Sequence, residues 1–160
     1  MAEVELRHMN REEFDTYFAQ AVESYAEELL KSGRYPDAEQ AHEFALWEYR
    51  DIFSQGFETP GTEVYHIFDG PQKVGLIWML REEDTGFIGD FLIDSACRHQ
   101  GYGTGAMRCL EGRAAQAGIK TMRLGVFKNN TAARRLYEKQ GYTVVRDREA
   151  DLMMEKSLDA

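Results

Sequence analysis

The sequence predicts a single α/β domain whose elements follow in the order β-α-α-β-β-β-α-β-α-β-β. Two patterns predict it. Short apolar runs typical of strands alternate with longer runs of helical periodicity, and glycines or helix-capping residues separate most of these runs. A chain of 160 residues is long enough to bury a core on either side of a sheet, and no repeat or linker interrupts the order.

The first third of the chain predicts one strand and two helices. Residues 4–9 form the strand, and Asn10 with Glu13 forms a capping box for a helix that ends near Gly33. The apolar stripe of this helix comprises Phe14, Tyr17, Phe18, Ala21, Tyr25 and Leu29. Asp37 opens a second helix, whose core-like positions are Ala41, Phe44, Ala45, Leu46, Trp47 and Ile52.

The rest of the chain predicts six strands and two further helices. Residues 62–68 and 73–80 form the hairpin around Asp69 and Gly70, and the next strand covers residues 87–93. The later elements are a helix that ends near residue 117, a strand at 121–127, a helix at 131–140, and strands near 142–145 and 152–155.

A glycine-rich turn joins the strand at residues 87–93 to the following helix. Glycine lets the backbone approach a ligand closely and adopt positive φ, so that N–H groups at the start of a helix can surround a phosphate. The turn therefore predicts a site for a phosphorylated cofactor, formed by Arg98, His99, Gln100, Gly101, Tyr102, Gly103 and Thr104.

Three sequence motifs are typical of glycine-rich turns that bind phosphate groups. The nucleoside triphosphate motif G-x-x-x-x-G-K-[ST] does not occur in the chain. The dinucleotide motif G-x-G-x-x-[GA] is matched by Gly101, Gly103 and Ala106, but residues 119–127 lack the acidic residue that it requires. The third pattern, R-x-x-G-x-G, begins at Arg98 and resembles the pyrophosphate loop of the GNAT superfamily of N-acetyltransferases.

A second motif further along the chain strengthens this resemblance. Residues 126–142 match the block V-x-x-x-N-x-x-A-x-x-L-Y-E-x-x-G-[FY] of the same family at every fixed position. In physical terms, Val126 ends a strand, Asn130 is a helix N-cap, and Gly141 stops the helix. On residues 87–142 the chain is thus identified as a member of the GNAT superfamily.

Membership implies a mixed sheet of the acyl-CoA N-acyltransferase type, splayed open between its fourth and fifth strands, with acetyl-CoA in the gap. The resemblance places the pyrophosphate on the N–H groups of residues 100–104, with Arg98 supplying positive charge. Asn130 is expected to contact the cofactor or its neighbours, or only to cap its helix. The pantetheine arm is expected to pair with the backbone of Leu92, Ile93 and Asp94.

The resemblance also assigns catalytic roles in acetyl transfer to a primary amine. Tyr137 occupies the general-acid position, where a phenol with a pKa of about 10 can protonate a departing thiolate; packing on the sheet is its alternative role. The N–H of Ile93 is the expected donor to the oxyanion. Some members of the family carry a glutamate that acts as the general base where this chain has Gly125. Asp90 is therefore the candidate base in this chain. Its alternative roles are a salt bridge or a solvent-facing position on the strand.

Two other functions would use parts of the same pattern. A non-catalytic acyl-CoA-binding domain with a sensor or regulatory role would keep the glycine turn but would not need Tyr137. An NAD-binding oxidoreductase would need the acidic residue that residues 119–127 lack.

The charge of the chain is distributed unevenly around its net value of −9. Residues 95–146 hold ten Lys and Arg against two acidic residues, whereas residues 1–94 hold seven against twenty-one. This asymmetry fits an anion-binding half and an acidic half that attracts a cationic amine, although solvated helix faces would explain the acidity equally well. The basic residues are not interleaved with aromatic ones, so nucleic acid is not an expected partner.

Several expectations concern location and chemistry outside the site. Residues 1–8 lack the apolar segment of a signal peptide and no apolar run is long enough to span a bilayer, which predicts a cytoplasmic protein without a membrane partner. No metal-ligand spacing surrounds Cys97 or Cys109; Cys109 and Trp78 fit core positions and Cys97 fits a loop. A homodimer is compatible with the sequence, but no motif marks one.

Overall fold

A computed structural model describes residues 3–159. Its strands and helices confirm the predicted order: β1 (Glu5–His8), α1 (Arg11–Lys31), α2 (Ala38–Ile52), β2 (Thr62–Asp69), β3 (Gln72–Glu82), β4 (Thr85–Ile93), α3 (Tyr102–Gln116), β5 (Thr121–Phe127), α4 (Thr131–Lys139), β6 (Thr143–Asp147) and β7 (Asp151–Ser157). Short 3-10 turns cover Gly56–Glu58 and Ser95–Cys97.

The seven strands form one mixed sheet in the order β1-β2-β3-β4-β5-β7-β6. Only the central pair, β4 and β5, is parallel; the other neighbours are antiparallel. Pairing of β4 with β5 joins Thr85–Ile88 to Thr121–Leu124 and then stops, although both strands continue. The sheet therefore opens between its fourth and fifth strands, as the family resemblance implied.

A β-bulge changes the direction of side chains in β4 just where the sheet opens. Trp78 of β3 pairs with Asp90 while Met79 pairs with Ile88, so Gly89 is the extra residue. A Cβ atom at Gly89 would overlap the Trp78 indole, which is why this position needs glycine. Beyond the bulge, Phe91 packs against the same core as Ile88, and the intervening Asp90 belongs to the other face of the strand.

The chain divides into two compact units, of which residues 61–159 with the N-terminal strand form the larger. In this unit α3 and α4 cover one face of the sheet. Side chains from α3 and α4 pack with strand residues in one buried core, which includes Met107, Leu110, Tyr137, Met79, Met122, Leu124 and Met154.

The smaller unit, residues 9–60, is built from α1 and α2. The capping box is confirmed: Glu13 N donates to Asn10 Oδ1 at 2.8 Å, and Asn10 N donates to Glu13 Oε1 at 2.9 Å. Asp37 caps α2 by accepting from Gln40 N at 2.8 Å. Aromatic rings fill the space between the helices, among them Phe14, Phe18, Tyr49 and Phe53.

The structure tests the predicted burial of the two tryptophans and the two cysteines. Trp47 is 63% exposed, because the buried face of α2 is the narrow stripe of Ala41, Ala45 and Tyr49. Trp78 is buried as predicted. Cys97 lies in a turn as predicted but is buried there, and Gln72 Nε2 donates to its Sγ at 3.8 Å. Cys109 packs against the core as predicted, although it is only half-buried.

None of the helices within residues 3–159 combines the length and apolar character that a membrane span requires.

Candidate active site

The start of α3 is the first component of the site. Among the helices of residues 3–159, α1, α2 and α4 each have a side chain that accepts a hydrogen bond from the first turn, whereas α3 begins at Gly101 without one. Gly101 has φ +83° and His99 has φ +64°, both in the left-handed region. The first intrahelical bond joins Gly105 N to Gly101 O, so the N–H groups that precede it have no acceptor within the helix and are available to a ligand.

Three contacts hold this turn in place. Arg98 Nε donates to Ile93 O at the end of β4 at 3.2 Å, which draws the guanidinium towards the strand. The Tyr102 hydroxyl donates to Asp69 Oδ2 at 2.5 Å, and this bond raises the pKa of Tyr102. A Cβ atom at Gly103 would lie 3.2 Å from Leu136 Cδ2, so the second glycine lets α3 pack closely against α4.

The open edge of β4 is the second component. Asp94 N donates to Val74 O on β3 at 2.8 Å, and backbone groups alternate along a strand. Leu92 and Asp94 therefore direct their backbone groups to β3, while Phe91 and Ile93 direct theirs into the opening. This register corrects the expected contacts: of the three strand residues predicted to pair with pantetheine, only Ile93 presents its N–H to the gap.

Tyr137 of α4 is the third component. Its side chain is 7% exposed, and its ring centroid lies 6.5 Å from that of Phe91. Burial raises the pKa of Tyr137 above its usual value, and the negative charge of Asp90 raises it further. The phenol therefore stays protonated at neutral pH and is a donor there. The negative charge of Asp90 therefore acts electrostatically on the phenol of the other predicted catalytic residue.

Asp90 reaches the open edge of its strand. Its Oδ1 accepts a hydrogen bond from Phe91 N at 3.0 Å, and that N–H points away from β3 into the opening. The side chain is half-buried rather than solvent-facing. A carboxylate is thus fixed at the splay, on the strand edge that also presents the Ile93 N–H, and its charge acts on the Tyr137 phenol.

Comparison with known proteins identifies the family. A family model described as the acetyltransferase (GNAT) family matches residues 12–142. The chain belongs to the GNAT family. YycN of Bacillus subtilis, named an uncharacterized N-acetyltransferase, is 32% identical over 158 residues, which span 96% of this chain and 97% of YycN.

Solved GNAT structures share the architecture. The crystal structure of YycN matches with a TM-score of 0.85 and 30% identity, over 90% of this chain and 94% of that one. The PaiA N-acetyltransferase of Thermoplasma acidophilum, solved in complex with coenzyme A, matches with a TM-score of 0.72 and 19% identity, over 97% of this chain and 99% of that chain. The latter likeness concerns the fold alone.

Two predicted positions of the GNAT motifs have specific local partners. Asn130 caps α4 by accepting from Ala133 N at 3.2 Å, which is the structural alternative of its two predicted roles. Gly125 lies on the exposed face of β5 beneath Arg148, whose Nη2 would be 3.0 Å from a Cβ atom there. Arg148 in turn makes two hydrogen bonds to Asp151, at 2.6 and 3.1 Å. An ion pair therefore covers the glycine.

Sequence reasoning missed a buried polar cluster that joins α3 to β7. Glu111 of α3 is 8% exposed, and its carboxylate accepts from Tyr142 Oη at 2.9 Å and from Lys156 Nζ at 2.8 Å. Helical spacing places Glu111 on the same face as Met107 and Ala114, both buried. An acid on the apolar face of a helix was the signal that could have revealed it.

Proposed function

We propose that this chain is an acetyl-CoA-dependent N-acetyltransferase that acetylates a primary amine by direct attack in a ternary complex. The observation that carries the proposal is the juxtaposition at one opening of the sheet: the Ile93 N–H at a free strand edge, the Asp90 carboxylate and the neutral Tyr137 phenol. We also propose that residues 1–160 act as one GNAT domain and that the protein works in the cytoplasm.

The turn before α3 suits the pyrophosphate of acetyl-CoA. Uncapped N–H groups and the positive end of a helix dipole favour an anion, and Gly101 admits close approach. The cofactor-binding residues that we propose are Leu92, Ile93, Arg98, His99, Gln100, Gly101, Tyr102, Gly103, Thr104 and Asn130. The backbone of Phe91 joins them, because it faces the gap, and Leu92 contributes its exposed side chain instead of its backbone.

Each chemical step then has a group of this chain to perform it. An amine with a pKa of about 10.4 must lose a proton before it attacks, and Asp90 accepts that proton, directly or through a water. The C–N bond forms as the carbonyl oxygen becomes negative, and the Ile93 N–H donates to that oxygen. The C–S bond then breaks, and Tyr137 gives its proton to the departing thiolate. The nitrogen, which became positively charged when it attacked, loses its second proton to the Tyr137 phenolate through water, and Asp90 releases its proton to solvent.

The acceptor that we propose is a cationic amine. Residues 9–60 carry twelve acidic residues against four Lys and Arg, so the helical unit attracts positive charge. A fold neighbour, the spermidine N-acetyltransferase of Vibrio cholerae, was solved with CoA and spermine. Polyamines are therefore the first acceptors to test, followed by amino acids, aminoglycosides and basic peptides.

Release of free thiol from acetyl-CoA tests the proposal. The purified protein is incubated with acetyl-CoA and each amine, and thiol is followed with a chromogenic disulfide. We expect release that depends on both the protein and an amine. Acetyl-CoA binding without release from any amine of the panel would support a non-catalytic acyl-CoA-binding domain instead.

A further inference from the structure

Glu111 is an unusual residue for the interior of this protein. Within residues 3–159 it is the one charged side chain among the buried residues. A buried charge is costly unless it is paired and hydrogen-bonded. Here both carboxylate oxygens are engaged, Oε2 by the Tyr142 hydroxyl at 2.9 Å and Oε1 by Lys156 Nζ at 2.8 Å. The cluster thus joins α3 and β7 to the turn between α4 and β6, which contains Tyr142.

Tyr142 connects this cluster to Tyr137 in two ways. Its backbone N–H donates to the Tyr137 carbonyl at 3.0 Å, across the turn that Gly141 makes at φ +95°. Its ring centroid also lies 6.1 Å from the Tyr137 ring. Phe91 lies 6.5 Å from the same ring, so two aromatic neighbours contact Tyr137.

The remaining member, Lys156, supports Tyr142 from β7. Its Nζ lies 5.8 Å from the centroid of the Tyr142 ring, and its side chain passes over Gly141, where a Cβ atom would be 3.6 Å from Lys156 Cε. The ammonium therefore neutralises Glu111 and packs on the tyrosine that Glu111 holds.

We propose that Glu111 is a positioning residue for acetyl transfer: by fixing the Tyr142 ring through its hydroxyl, it sets the position of the Tyr137 ring and phenol. This inference rests on the proposed function, in which Tyr137 donates the proton to the thiolate. The effect passes through packing, and Glu111 itself touches neither substrate.

The test is a double-mutant cycle on kcat. Tyr142→Phe removes the bond to Glu111 but keeps the ring, and Glu111 keeps Lys156. We expect kcat to fall about tenfold, because displacement of a catalytic group on the order of 1 Å costs up to about a hundredfold, while KM for acetyl-CoA stays unchanged. In a Tyr137→Phe background, Tyr142→Phe should cause no further loss, because the group it positions is gone.

Two further variants keep the test independent of folding defects. Glu111→Gln retains the shape but offers one accepting oxygen where the carboxylate offers two, one to Lys156 and one to Tyr142. With that oxygen turned to the ammonium, the amide no longer accepts from the Tyr142 hydroxyl, so kcat should fall in the same direction. Tyr65→Phe is the matched control, since Tyr65 is also buried and burial with the nearby Glu63 carboxylate also raises its pKa, while its ring neighbours are His8 and the Arg113 guanidinium. We expect it to leave kcat unchanged. Circular dichroism and the thermal midpoint confirm that each variant is folded before its kinetics are compared.

Two kinetic outcomes would overturn the inference: parental kcat in both Tyr142→Phe and Glu111→Gln, or a Tyr142→Phe loss that persists in full without Tyr137. If the parent itself releases no thiol with any amine, the proposed function fails, and fluorine NMR of protein labelled with 3-fluorotyrosine decides the positioning separately. The Tyr137 signal, assigned by its absence in Tyr137→Phe, should shift in Glu111→Gln and stay fixed in Tyr65→Phe. An unchanged signal in Glu111→Gln overturns the inference.

Discussion

Tyr137 combines burial with a nearby carboxylate, and both keep its proton in place. The side chain is 7% exposed, and burial followed by the charge of Asp90 raises the pKa of Tyr137. A raised pKa makes the phenol a weaker acid in the resting state but ensures that it is protonated when the thiolate departs. The same residue would serve poorly as a general base near neutral pH.

Replacement of Tyr137 by phenylalanine tests this role. The ring and its contacts with Phe91 and Tyr142 remain, so we expect acetyl-CoA affinity to be unchanged. Loss of a general acid lowers kcat by roughly 10²- to 10⁴-fold. Steady-state kinetics with the best amine of the panel measure it. Parental kcat in a folded Tyr137→Phe protein would assign the tyrosine to sheet packing.

Asp90 has both a structural and a catalytic candidate role, and Asp90→Asn separates them. Asparagine retains an oxygen that can accept from Phe91 N but cannot take a proton from the amine. We expect kcat/KM for the amine to fall, most strongly at the lower end of the active pH range, where the amine is most fully protonated. Unchanged kcat/KM across that range would leave Asp90 with the structural role alone.

At the scale of elements, the start of α3 differs from the start of every other α-helix in residues 3–159. Side chains cap α1, α2 and α4, while Gly101 leaves the first turn of α3 without such a cap. An uncapped helix is less stable by itself, since N-cap side chains stabilise a helix by about 1 kcal/mol. We interpret the missing cap as the feature that reserves these donors for the pyrophosphate.

Two glycine variants in the same helix test this interpretation. Gly101→Ala puts a Cβ at φ +83°, which costs roughly 1–2 kcal/mol, and should weaken acetyl-CoA binding as the turn moves. Gly112→Ala lies in the helix interior with no atom within 4 Å of the added Cβ, and should stabilise the protein by up to about 1 kcal/mol. Titration calorimetry and chemical denaturation measure the two effects. Equal acetyl-CoA affinity in both variants would contradict the placement of the pyrophosphate.

The elements show which parts of the fold the sequence could predict. Strand and helix order follow from local periodicity and caps, and Asn10, Asp37 and Asn130 cap the helices as predicted. Register does not follow from local patterns, because the bulge at Gly89 depends on contact with Trp78 from another strand. Prediction of the backbone contacts of β4 was therefore partly wrong.

The site shows the same division between local and distant information. Two motifs located Tyr137 and the turn before α3, since each motif is continuous in sequence. In the polar cluster, Glu111 bonds to Tyr142, 31 positions away, and to Lys156, 45 positions away. The bond between Tyr102 and Asp69 likewise joins residues 33 positions apart. Such pairings depend on tertiary packing, which no short pattern encodes.

At the scale of the whole molecule, buried tyrosines make stability depend on alkaline pH. Burial is the largest cause that raises the pKa of Tyr25, Tyr137 and Tyr142, and it raises the pKa of Tyr65 to about 12. In the unfolded chain these phenols ionise near the ordinary value of about 10, while the folded protein retains their protons. Stability is thus complete below that pH and falls as the pH rises above it.

Urea denaturation at several pH values measures this dependence. We expect the midpoint to be constant up to about pH 9 and to decrease above about pH 10, where the unfolded state alone releases tyrosine protons. Tyr65→Phe should make the decrease shallower, because it removes one of the shifted groups. A midpoint that stays constant up to about pH 11 would contradict the burial of these hydroxyls.

The central claim is that the opening between β4 and β5, together with the start of α3, binds acetyl-CoA. Calorimetric titration of the purified protein with acetyl-CoA, with NAD as the comparison ligand, tests it most directly. We predict saturable binding of one acetyl-CoA per chain and no heat of binding for NAD. Absence of acetyl-CoA binding by the folded protein, or preferential binding of NAD, would contradict the account.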